Sequence, residues 1–121
     1  MLLQFWATWC PHCQKAWEAM NRLREDYKKQ GLVVFGVIRV TQRDTEEHIR
    51  TFTATNKLPY DVILPDPEGA AATAYEARGV PDTAVIDASG ILRARQPGSN
   101  FPSSPEIRLA IETGLAALLR F

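Results

Sequence analysis

A short, largely apolar run, Leu2 to Trp6, leads within three residues to Cys10-Pro11-His12-Cys13, and an amphipathic helix pattern begins inside that tetrad. The run is too brief for a helix and suits a buried strand. From Pro11 to Lys29 the apolar positions Cys13, Ala16, Trp17, Met20, Leu23 and Tyr27 fall three and four apart. Charged Lys15, Glu18, Arg22, Glu25 and Lys29 lie between them, so this helix buries one face. Gly31 stops it. Leu32 to Val40 is a near-continuous apolar stretch, as expected of a strand covered on both faces. Strand, cysteine-bearing turn, helix and strand in that order restrict the chain to a parallel pair with a right-handed crossover.

The remaining elements extend this unit. Asp44 followed by Glu47 reads as a capping box opening a helix to about Asn56, with Ile49 and Phe52 inward. Val62 to Leu64 is a short strand, and Asp66-Pro67-Glu68-Gly69 turns into a short helix through Tyr75. Thr83 to Ile86 and Ile91 to Arg95 form a hairpin around Asp87-Ala88-Ser89-Gly90. Gln96 to Ser103 reads as loop, and Ser104 with Pro105 opens a last helix with Ile107, Ile111, Leu115 and Leu118 on one face. These elements predict an α/β fold with a central five-stranded mixed sheet and helices on both faces. The expected strand order is third, second, first, fourth, fifth. That order brings Val80-Pro81 beside Cys10 and Cys13.

Composition narrows the function classes. The 121 residues form a single domain, 1–121, and fourteen Lys and Arg balance fourteen Asp and Glu. No net basic charge recruits nucleic acid or an anionic membrane, and no apolar run approaches the ~20 residues that span a bilayer. Two cysteines cannot staple a domain of this size, so their spacing points to redox or metal chemistry. The N-terminus has no basic stretch and no cleavage-site pattern of a secretory signal.

Phe5-Trp6-Ala7-Thr8-Trp9-Cys10-Pro11-His12-Cys13 resembles the active-site strand and turn of the thioredoxin superfamily, and more narrowly its TlpA/ResA-type thiol-disulfide oxidoreductases. Gly79-Val80-Pro81 with the following strand and Asp87-to-Gly90 turn resembles that family's cis-proline segment. The helix from Asp44 and the strand from Val62 resemble its helix–strand insertion, about residues 44–65. Against that family the chain reads as N-terminally truncated, beginning partway along a strand. We therefore expect an upstream export or anchor segment and an extracytoplasmic site of action, with a cytoplasmic one as the alternative.

The resemblance implies thiol–disulfide exchange with protein cysteines, and the residues suit it. Cysteines three apart across a first helical turn hold their Cα atoms within the ~4.4–6.8 Å that a disulfide tolerates. Cys10, preceding the helix, is expected to be exposed, with its thiolate at the positive end of the helix dipole, and serves as nucleophile. Cys13, one turn in, is expected to be buried and to resolve the mixed disulfide. Pro11 and His12 tune the couple: a cationic imidazole favours the thiolate, hence the reduced form, and makes the disulfide more oxidising. Cys-Pro-His-Cys itself resembles the strongly oxidising thiol oxidases, whereas its frame resembles the reductases, so a reductase or isomerase is expected and an oxidase is the alternative. Trp9, Val80 and Pro81 are expected to receive substrate, Val80 through its backbone and Pro81 through a cis peptide bond. Trp6 and Trp9 are read as walls of the site, with plain core packing as the alternative for either, above all for Trp6.

No cofactor is expected beyond the Cys10–Cys13 pair. Zinc wants about four ligands, and only His12 and His48 could join the cysteines. Covalent haem wants a His directly after the second Cys, where Gln14 stands. A non-catalytic module holding copper(I) through two thiolates is the reading from another class. The expected partners are protein thiols and disulfides and an upstream electron donor or acceptor protein, not nucleic acid, with the chain acting as a monomer. Three departures from thioredoxin stand out: Gln4 where that protein has a buried Asp, Glu18 where it has a kinking proline, and Asp82 after Pro81. The Asp82 charge is expected to raise the Cys10 pKa and oppose His12.

Overall fold

The computed structural model describes residues 1–98 and 105–118, with side chains through Leu115. β1 (Leu2–Trp6) and β2 (Val34–Arg39) are joined by α1 (Pro11–Tyr27), and β2 and β3 (Val62–Asp66) by α2 (Glu46–Thr55). α3 (Ala70–Ala74), β4 (Asp82–Ile86), β5 (Leu92–Pro97) and α4 (Pro105–Leu118) complete the chain. The sheet has five strands in the order β3-β2-β1-β4-β5, as the crossover and hairpin rules require. β1 pairs parallel with β2 in the register Phe5 with Val37, and antiparallel with β4 in the register Phe5 with Asp82.

Alternation along the strands divides two cores. Leu2, Trp6, Val34, Ile38 and Val85 face a cluster completed by Met20 and Leu23 of α1, Ile49 of α2, and Ile107, Ile111 and Leu115 of α4. Leu3, Phe5, Val37, Ala84 and Ile86 face the other way, beneath Ala71 and Ala72 of α3. Helices thus cover both faces. At the centre of β2, Gly36 admits a close approach that no side chain could share. A Cβ there would lie 2.7 Å from Tyr60 Cγ and 2.8 Å from Trp6 Nε1.

Several boundaries differ from the sequence reading. α2 is capped by Thr45, whose hydroxyl accepts the His48 N–H at 3.1 Å, and not by Asp44. Asp44 is 1% exposed and is drawn off to bond Thr8 instead. Gln96 and Pro97 belong to β5, because Thr83 and Asp82 pair with them. The rest of the loop read at Gln96 to Ser103, apart from Gly98, lies outside the described residues, as do Ser104 and the Leu118 side chain.

Candidate active site

The end of β1 delivers the cysteine turn. Cys10 takes an extended conformation at the N-cap of α1, Pro11 fills the first helical position, and the Cys10 Sγ accepts the Cys13 N–H at 3.1 Å. The two cysteines are disulfide-bonded with a Cα–Cα separation of 5.3 Å. Cys13 is buried, as expected. Cys10 is not exposed: it retains 2% of its surface. A side chain that caps the helix and bonds to a sulfur one turn inside it is turned inward, into the core cluster that also holds Cys13. Pro11 and His12 are exposed beside it.

The turn is braced from α2's side of the molecule. Thr8 donates its N–H to Asp44 at 3.2 Å and its hydroxyl to the other oxygen of the same carboxylate. Gln14, one residue past Cys13, donates its side-chain amide to the Thr8 carbonyl at 3.3 Å. Sequence reasoning missed Asp44 because the capping pattern offered it a local use.

Beneath the turn a neutral hydrogen-bonded chain occupies the position of thioredoxin's buried acid. Trp17 Nε1 donates to the Tyr60 hydroxyl at 3.0 Å, and that hydroxyl donates to Gln4 Oε1 at 2.6 Å. Gln4 Nε2 completes the run to Thr83 Oγ1 at 3.3 Å. Burial pushes the Tyr60 hydroxyl far above its ordinary range, so it stays protonated and can donate. Tyr60 and Trp17 carry no motif, and only the three-dimensional meeting with Gln4 reveals them.

The two tryptophans divide. Trp9 is 44% exposed, and the Arg43 guanidinium stacks 4.2 Å from its ring centroid. Trp6 is core, with ring centroids of Tyr60 at 5.0 Å and Trp17 at 6.0 Å. It does not wall the disulfide from solvent, because a strand residue pointing toward α1 is covered by it.

The Val80–Pro81 peptide bond is cis. Val80 packs against both core clusters, including the one that holds Cys10 and Cys13. Its N–H and C=O make no hydrogen bond among the described residues. Asp82 corrects the electrostatic expectation. Its carboxylate is 4% exposed and gripped by Arg95 through Nε at 3.2 Å and Nη2 at 2.7 Å. Strand alternation sets it on the side of Ala84 and Ile86, away from the cysteine cluster. Asp82 is therefore a charge paired with Arg95 on the face opposite the cysteine cluster.

The arrangement is a disulfide at a helix N-terminus, with the unpaired Val80 backbone packed against the cluster that holds it. The AhpC/TSA family model matches residues 1–95. The chain belongs to the AhpC/TSA family, within the thioredoxin-like superfamily. Thioredoxin-like protein YneN of Bacillus subtilis is 29% identical over 112 residues, covering 93% of this chain and 64% of that protein. Thiol:disulfide interchange protein DsbE of Vibrio cholerae is 35% identical over 100 residues, 81% of this chain and 50% of its own length. The crystal structure of a putative thiol:disulfide interchange protein DsbE from Chlorobium tepidum superposes with a TM-score of 0.77 at 25% identity, covering 94% of this chain and 78% of that one. The chain spans between half and two-thirds of the length of these curated family members. Among the described residues no helix is long and apolar enough to cross a membrane.

Proposed function

We propose that the protein is a thiol–disulfide oxidoreductase acting on protein cysteines, as a reductase or isomerase of the TlpA type. The observation that carries this reading is the Cys10–Cys13 bond across the first turn of α1, with Cys10 as its N-cap. In the reduced protein the Cys10 thiolate sits at the unpaired N–H groups and positive dipole end of a 17-residue helix, which favours the anion. It attacks one sulfur of a substrate disulfide, forming a mixed disulfide and releasing the first substrate thiolate, which takes a proton from water. The Cys13 sulfur then attacks the Cys10 sulfur, giving up its proton to the departing second substrate thiolate and leaving Cys10–Cys13 oxidised. Two electrons pass to substrate, and a dithiol donor protein must return them. Val80, with both backbone groups unpaired, takes the substrate segment as a strand partner while Pro81 and Trp9 flank it. Such a couple works outside the cytoplasm, where substrate disulfides persist, and as a monomer.

Trapping tests the assignment of roles. Cys13→Ser should accumulate mixed disulfides with a disulfide-bearing substrate such as insulin, since nothing then displaces the product from Cys10. Cys10→Ser should abolish exchange. Trapping by Cys13→Ser no greater than in the wild type would reverse the two roles, and exchange by neither the wild type nor Cys13→Ser would remove the function.

A further inference from the structure

A groove of about 470 Å³ opens at the C-terminal ends of β1 and β2, lined among others by Trp9, the neighbour of Cys10 in sequence. Phe5, Val37, Ala72 and Ala77 form its apolar floor, and Trp9 and Val80 close the end nearest Cys10. Its charges are unevenly committed. Asp44 and Asp66 line it but are 1% and 5% exposed, and both are engaged in hydrogen bonding. Asp44 accepts from Thr8, and Asp66 accepts the N–H groups of Ala71 and Ala72 at 2.9 and 3.1 Å. Arg39, at the end of β2, and Arg78, shortly before β4, line it from the two strands that flank β1; both are exposed, and neither has an ion-pair partner among the described residues. The Arg39 side chain passes close over Gly69, where a Cβ would lie 3.2 Å from its Nε. Arg43, with no ion-pair partner among the described residues, adds a third cation stacked on the ring of Trp9, which lines the groove. By contrast Arg95, Arg93 and Arg24 are all matched to carboxylates.

We propose that this groove selects the substrate: it takes an extended protein segment whose cysteine is flanked by acidic side chains, which pair with Arg39 and Arg78. The proposal rests on the exchange activity proposed above and adds its specificity. An apolar floor with unpaired guanidinium groups on its two sides suits a strand that lays alternate side chains into the floor and presents carboxylates to the rims. A lysine-flanked segment would meet like charges at the same places.

The test uses two disulfide-closed peptides identical except for Glu or Lys at the positions flanking one cysteine, reduced by the protein with dithiothreitol as donor. The wild type should show a kcat/KM about fivefold higher for the Glu peptide, falling toward equality in 0.5 M salt as exposed pairs are screened. Arg39→Glu with Arg78→Glu should invert the preference, and Arg39→Gln with Arg78→Gln should abolish it without inversion. Exchange with both peptides at equal kcat/KM in the wild type, or a preference that survives the double reversal, overturns the groove's role and leaves the activity standing. Failure to reduce either peptide removes the activity, and the specificity with it.

Discussion

Position 12 lies at the second residue of α1, exposed, one residue from the pyrrolidine that opens the helix and two from the capping sulfur. A protonated imidazole there adds its charge to the helix end and stabilises the Cys10 thiolate relative to the disulfide. With Asp82 locked to Arg95, no nearby carboxylate of that strand offsets it. His12→Pro should therefore raise the Cys10 pKa and make the couple more reducing. A shift of one pKa unit corresponds to about 1.4 kcal/mol, or ~30 mV for two electrons, which a glutathione titration resolves. An unchanged potential would reduce His12 to a solvent-facing turn residue. The cysteines, His12, Trp9 and Pro81 were legible in the sequence because each belongs to a short contiguous motif. Asp44, Tyr60 and Arg95 were not, because each acts on a partner at least thirteen residues away, and nothing local marks such a meeting.

At the scale of elements, periodicity located the strands and helices, while their ends shifted by a few residues, as at Gln96 and Pro97 in β5 and at the start of α2. Asp44 could cap α2 or brace Thr8, and the buried choice won because two donors met it there. Asp87 shows the opposite case, a turn residue used where it stands. Its carboxylate accepts the Ile91 and Ser89 N–H groups at 3.0 and 2.9 Å and pairs with Arg93 at 2.7 Å. The Ile91 N–H, with help from Arg93 and the Ser89 N–H, holds its carboxyl below the usual carboxylate range. A carboxyl with a folded pKa below its unfolded value binds its proton more readily once unfolded. Its stabilisation is complete above the unfolded value near 4 and is lost as pH falls through the depressed folded one. Asp87→Asn should accordingly lower Tm at pH 7, and the gap to the wild type should close as the pH falls below about 4. A gap independent of pH would assign the loss to the turn's shape and not to the charge.

For the molecule as a whole, strand order and direction followed from connectivity, whereas the way the sheet is joined to its helices did not. That junction is the aromatic group of Trp6, Trp17, Phe52 and Tyr60, which draws on β1, α1, α2 and the segment before β3. Gly36 makes room for it, and the Tyr60 hydroxyl ties it to Gln4 at the sheet's centre. Gly36→Ala forces Tyr60 or Trp6 aside, and overpacking of this kind costs ~1–3 kcal/mol. Tyr60→Phe keeps the ring but leaves the fully buried Gln4 carbonyl without its donor, at a cost of ~1–3 kcal/mol. If displacing the ring also breaks its hydroxyl bonds, the two losses overlap. The double variant should then be less destabilised than the sum of the singles by at least ~0.5 kcal/mol in urea unfolding. Strict additivity would mean that Gly36→Ala is relieved at Trp6 alone, and that the polar chain under the disulfide survives the strain.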